Sequence, residues 1–187
     1  MPEPSTRTAV TPQLAFRQRG LLVATFLAVI VGALVGLAAV VFLEVISWVQ
    51  FLALGTREEF LISGLNEDHW WRRLAAPIVG GVIIGGLMMV LYPTLPRPPG
   101  VGNVIAASAL RRGRMSFRDG VKAASLNAIS LGFGASVGRE GPMVHWGATI
   151  GAWGARALGL EPRIRRTLLA CGVSAAVAAS FNAPLAG

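Results

Sequence analysis

The run from Leu21 to Leu54 is almost wholly apolar, broken only by Thr25, Glu44, Ser47, Gln50 and small residues. A helix of that extent reaches roughly 50 Å at 1.5 Å per residue. No small soluble core hides such a rod, whereas a bilayer accommodates it if the rod tilts. Further apolar runs follow from Leu74 to Tyr92, Val121 to Val137, about Pro142 to Leu158 and Thr167 to Ser180. Mean hydropathy is +0.60, 53% of residues are hydrophobic and only 14% charged, a balance outside that of soluble domains. The chain is expected to be an all-α integral membrane protein.

The 23 glycines lie mostly within the apolar runs, where they weaken a helix in water but let helices approach closely in lipid. Gly32 with Gly36, and Gly147 with Gly151, form small-xxx-small pairs. Gly80, Gly81, Gly85 and Gly86 offer a flat face to a neighbouring helix. The single Cys171 excludes an internal disulfide and reads as a buried thiol. Glu44 reads as an interfacial contact.

The net charge of +8 is almost all arginine. The arginines sit between apolar runs and are not interleaved with aromatics, which argues against nucleic acid and for cytoplasmic loops. Residues 1–20, with Arg7, Arg17 and Arg19, read as an uncleaved cytoplasmic N-terminal segment, and 21–187 as the transmembrane domain. Arg111, Arg112, Arg114, Arg118 and Lys122 form the densest cluster, and Arg163, Arg165 and Arg166 a second; both are expected on the cytoplasmic side. Residues 56–69 hold Arg57, Glu58, Glu59, Glu67, Asp68 and His69, as an external loop would. Trp70 and Trp71 then mark an interface, while Arg72 and Arg73 run against the charge rule.

Two helix breaks carry the chemistry. Pro93, Pro96, Pro98 and Pro99 end regular structure, and Gly100-Val101-Gly102-Asn103 opens a helix, placed to begin at Asn103, too short to span. Gly138-Arg139-Glu140-Gly141-Pro142 lies between two apolar runs with no loop to lift it into water. A charge at that depth costs about 2.5 to 3.5 kcal/mol at a helix centre, so it is seldom present without a partner or a task. Neighbours in sequence rarely face one another on a helix, which disfavours an Arg139–Glu140 pair. The flanking glycines let backbone approach a ligand, and Pro142 suits a first helical turn. Two such helix starts converging would hold an anion on bare amides and positive dipole ends. Glu140 would compete with that anion until protonated or swung aside.

These residues resemble the CLC family of chloride channels and proton-coupled chloride antiporters. Residues 138–142 resemble its GREGP signature, with Glu140 in the position of the gating glutamate. Phe181-Asn182-Ala183-Pro184-Leu185-Ala186-Gly187 resembles the segment after the family's helix G. Gly100-Val101-Gly102-Asn103-Val104 stands where the family usually has GSGIP, and Val101 replaces the serine whose hydroxyl meets the central anion. Valine cannot donate, and the fluoride-exporting branch also departs from serine there, so fluoride stays open as a substrate.

The resemblance implies the N-terminal portion of an inverted-repeat core of tilted, broken and re-entrant helices, a multi-pass place in the cell membrane, a homodimer, and transport of chloride or a similar anion, with protons in the antiporters. Gating and proton linkage fall to Glu140. Anion binding falls to Gly100, Val101, Gly102, Asn103, Gly138, Arg139, Gly141 and Pro142. Voltage-gated channel and antiporter are both compatible. No metal or organic cofactor is implied. The chain stops in mid-motif at Gly187, so a truncated product, not expected to conduct alone, is the reading.

A different class is offered by Gly134-Ala135-Ser136-Val137-Gly138, which fits GxSxG. A nucleophilic serine needs a base, and only His69 and His145 are present; an intramembrane hydrolase using Ser136 is the weaker reading. A scaffold without transport leaves Glu140 unexplained.

Overall fold

The computed structural model describes residues 12–55, 70–93 and 99–183. Arg7, residues 56–69 with His69, Pro96, Pro98 and Pro184 to Gly187 lie outside them. The described residues form six helices: α1 (Pro12–Leu54), α2 (Trp70–Leu91), α3 (Val101–Ala109), α4 (Phe117–Gly132), α5 (Glu140–Ala157) and α6 (Pro162–Phe181). The bundle is all-α and multi-span. Leu22–Leu54, Leu74–Leu91 and Pro162–Phe181 are long and apolar enough to cross a membrane.

Helix starts differ from expectation where polar residues hid them. α1 begins at Pro12, ahead of the apolar run, because Gln13 to Arg19 are good helix formers next to a start already nucleated at Leu21. α6 begins at Pro162 and so takes in Arg163, Arg165 and Arg166, whose charge suggests a loop. It is long enough to span after all. Proline at the first helical position costs no hydrogen bond, and α6 gains the five residues 162–166 ahead of the apolar run.

Helix ends are set by left-handed residues. Gly134 (φ 90) closes α4, with its N–H donating to Leu131 O and the Ala135 N–H to Ser130 O. This paired pattern satisfies the last carbonyls of the helix. The same pattern ends α5 at Gly159 (φ 65), with Gly159 N–H to Arg156 O and Leu160 N–H to Ala155 O. Asn182 (φ 51) ends α6 in the same way. Consequently α4 stops at Gly132, five residues short of the expected Val137.

α5 and α6 form the closest pair. A methyl group on Gly147 would strike the Gly172 carbonyl, and one on Gly151 the Leu168 carbonyl. That small-residue face works as expected. α1 lies across α4, α5 and α6, with Val35, Phe42, Met143, Leu168 and Ala176 in the shared core. Gly132 of α4 admits Val49 of α1, and Gly120 admits Thr149 of α5. Other expectations are corrected. Gly32, Gly36, Gly81, Gly85 and Gly86 meet nothing within 4 Å among the described residues, and of the α2 glycines only Gly80 is used, against Phe133. Cys171 is half-buried.

The charge anomaly at Arg72 has a local cause. Its Nη1 lies 2.8 Å from where a methyl on Gly55 would stand, at the end of α1, and its guanidinium lies 5.5 Å from the Trp71 ring centroid. The C-terminal end of a helix attracts a cation. Glu44 is exposed on α1.

The two basic turns come together. Gly113 (φ 72) is buried, and a methyl there would meet Arg166 N at 3.2 Å and Arg165 Cγ at 3.3 Å. The turn after α3 therefore sits on the first turn of α6. Both arginine clusters therefore occupy one end of the bundle.

Candidate functional site

α3 starts two residues before the expected Asn103. Gly100 is extended (φ −142), the Asn103 N–H donates to Gly100 O at 2.9 Å, and the Gly100 N–H donates to Asn103 Oδ1 at 3.4 Å. Asn103 thus closes its own turn from both directions. The amides of Val101 and Gly102 fall at first-turn positions without intrahelical acceptors.

α5 starts at Glu140, as the glycine and proline pattern suggested. Gly138 (φ 73) reverses the chain after the 133–137 turn, a conformation open to glycine. Arg139 (φ −90, ψ −17) then caps the helix, and its carbonyl accepts from Met143 N at 3.2 Å. Glu140 and Gly141 supply the first free amides, since Pro142 has none.

These two starts meet. A methyl group on Gly141 would stand 3.9 Å from Val101 Cγ2, ordinary van der Waals contact, so the opening turns of α3 and α5 touch through Val101. The Glu140 side chain folds back over the turn before it, with Oε2 3.0 Å from where a methyl on Gly138 would lie. Glu140, Arg139, Gly141 and Pro142 are half-buried, while Val101, Gly102, Asn103 and Gly138 are exposed. Two positive helix ends and one carboxylate therefore share a partly open region.

Ser136 is exposed in the turn before α5, whereas His145 is buried with its wall of a cavity shared by Tyr92 and Asp119. Ser136 does not line that cavity, so the pattern Gly134 to Gly138 serves the helix break. Among the described residues no group of His, Cys, Asp and Glu suits a metal ion.

Sequence reasoning overlooked the cavity itself. Tyr92, Asp119 and His145 come from three separate helices or their ends and fall in no motif. Burial raises the Tyr92 phenol above its ordinary range, and the nearby Asp119 carboxylate adds in the same direction. The spacing of Asn103 and Ala107 on one stripe of α3 was the available signal.

Long apolar helices around two abutting helix starts define a polytopic helical membrane protein with broken helices. Residues 80–187 match the family model described as voltage gated chloride channel. Among curated relatives, a ClcB-like protein of Ralstonia nicotianae is 31% identical over 162 residues, 84% of this chain and 37% of the relative. The H(+)/Cl(-) exchange transporters ClcA of two Klebsiella pneumoniae strains are 34% and 33% identical over 189 aligned positions, 94% of this chain and 37% of each relative. The chain belongs to the voltage-gated chloride channel (CLC) family, and it spans 37% of the length of these relatives.

Proposed function

We propose that this chain supplies the first part of a pathway that carries chloride or a similar small anion across the cell membrane, with Glu140 as its gate. The observation that carries this reading is the close approach of Val101 to Gly141, where a methyl on the glycine would stand 3.9 Å from Val101 Cγ2, beside one carboxylate. Gly100, Val101, Gly102 and Asn103 would offer backbone to the anion from one side, and Gly138, Arg139, Gly141 and Pro142 from the other. Glu140 occupies the anion's place when ionised and yields it when protonated.

The relatives described as H(+)/Cl(-) exchange transporters favour proton-coupled exchange over a channel. The finer architecture is that of tilted and re-entrant helices forming the leading portion of an inverted repeat, completed by further chain and paired as a homodimer. Residues 1–20 face the cytoplasm in this scheme, and 21–187 belong to the membrane domain. Val101 offers no hydroxyl to select chloride, so fluoride exchanged for protons stays open as a second substrate within the same reading.

The test is anion flux in proteoliposomes with Glu140→Gln in the complete protein. Glutamine holds the gate in its uncharged form, so flux should persist while its response to pH flattens. Flux with an unaltered pH response would remove Glu140 from the gate.

A further inference from the structure

A cavity of about 190 Å³ opens along α3 at Asn103 and Ala107, with Arg111 in the turn that follows the helix. Tyr92 after α2, Arg114 in the turn after α3, Asp119 of α4 and His145 of α5 complete its walls. One water occupies about 30 Å³ in the liquid, so the space holds more than a single bridging water.

Tyr92 is only 7% exposed, and its Oη has no hydrogen-bond partner among the described residues. A buried hydroxyl left unsatisfied is costly and calls for an explanation. Other donors face the same space. Arg112 (φ 51) and Gly113 (φ 72) take left-handed backbone, and the tight turn they make delivers both Arg111 and Arg114 to the cavity. Asn103 Oδ1 is engaged by the Gly100 N–H, which leaves the Asn103 amide N–H groups to donate. Ser116 Oγ accepts from the Asp119 N–H at 3.4 Å, so the hydroxyl proton of Ser116 points elsewhere. Among the described residues one carboxylate, that of Asp119, opposes two guanidinium groups. The lining is thus rich in donors and carries a net positive charge.

We propose that this cavity binds a phosphate group, carried either by an anionic phospholipid at the cytoplasmic surface or by free inorganic phosphate. Arg111 and Arg114 hold its charge, and Tyr92 donates from the buried end. The location suits a headgroup, because the turn that bears both arginines sits on the start of α6, beside Arg165 and Arg166. Basic pockets between membrane helices on the cytoplasmic side take lipid phosphates. The site does not depend on Glu140 or on the Val101–Gly141 contact.

The test uses the chain purified in maltoside detergent, which carries no phosphate. Labelled inorganic phosphate is followed by equilibrium dialysis, and added phosphatidylglycerol by native mass spectrometry. Arg111→Gln with Arg114→Gln should weaken binding by about tenfold or more, since charge-assisted bonds are lost. Tyr92→Phe keeps the ring and should weaken binding about threefold to tenfold. Asp119→Asn removes the one opposing charge at an exposed position and should tighten binding about twofold to fivefold. Unfolding midpoints of the variants establish that each is folded, and Asp119→Asn carries the test should the others misfold.

Binding of both probes with these dependences supports the site with the phosphate group alone sufficient. Binding of the lipid only assigns it to a headgroup, and binding of phosphate only to the free ion. Binding of neither overturns the proposal. So does binding that ignores Tyr92→Phe, which would be loose attraction to surface arginines, or a failure of Asp119→Asn to tighten it.

Discussion

Val101 lies within reach of a methyl group built on Gly141 and is 42% exposed, so its side chain borders the place where an anion would rest between two helix starts. Val101→Ser exchanges a methyl surface for a hydroxyl donor of smaller volume. One added hydrogen bond is worth about 1 kcal/mol net, so chloride affinity of the complete protein should rise about fivefold by isothermal titration calorimetry. An unchanged affinity would place residue 101 outside the anion's reach. The residues around it were legible in the sequence because their signals are local: Gly138 and Pro142 mark a reversal and a helix start within five positions. Tyr92, Asp119 and His145 were not legible. They are ordinary residue types, and only the packing of α2, α4 and α5 brings them to one cavity.

Helix contacts separate glycines that pack from glycines that do not, a distinction composition cannot make. Gly151 lies against the Leu168 carbonyl and Gly147 against that of Gly172. Gly151→Ala should therefore cost about 1 to 3 kcal/mol through overpacking, read as an earlier unfolding midpoint in denaturing detergent. Gly36→Ala, with nothing within 4 Å, should cost nothing and gain up to about 1 kcal/mol from helix propensity. Equal effects at the two positions would contradict the α5–α6 packing. The spacing of four residues is identical in both pairs, and only a partner with a small residue opposite, here Gly172, makes it a contact. Helix ends were harder to read than helix existence. Gly134, Gly159 and Asn182 set three of them through backbone conformation, whereas the arginines at the start of α6 carried a charge signal that pointed to a loop. In α6 the Pro162 start outweighs that signal.

Across the whole molecule the long apolar runs made the all-α membrane class legible, and the two breaks made the candidate site legible. What the sequence could not supply was which polar ends meet. The burial of Gly113 on the 165–166 backbone puts both arginine clusters at one end, and that placement predicts their sidedness. In a Cys171→Ser background, Arg118→Cys and Arg166→Cys, both exposed, should react with a membrane-impermeant maleimide from the same side of sealed vesicles. Reaction from opposite sides would break the arrangement of α3, α4 and α6. The seating of that turn also bears on synthesis. Gly113 and its cradle are separated by about 50 residues, which a ribosome working at about 5 to 20 residues per second delivers several seconds later. Until then the nine-residue α3 has no platform beneath its exit, and the turn that follows it awaits its footing.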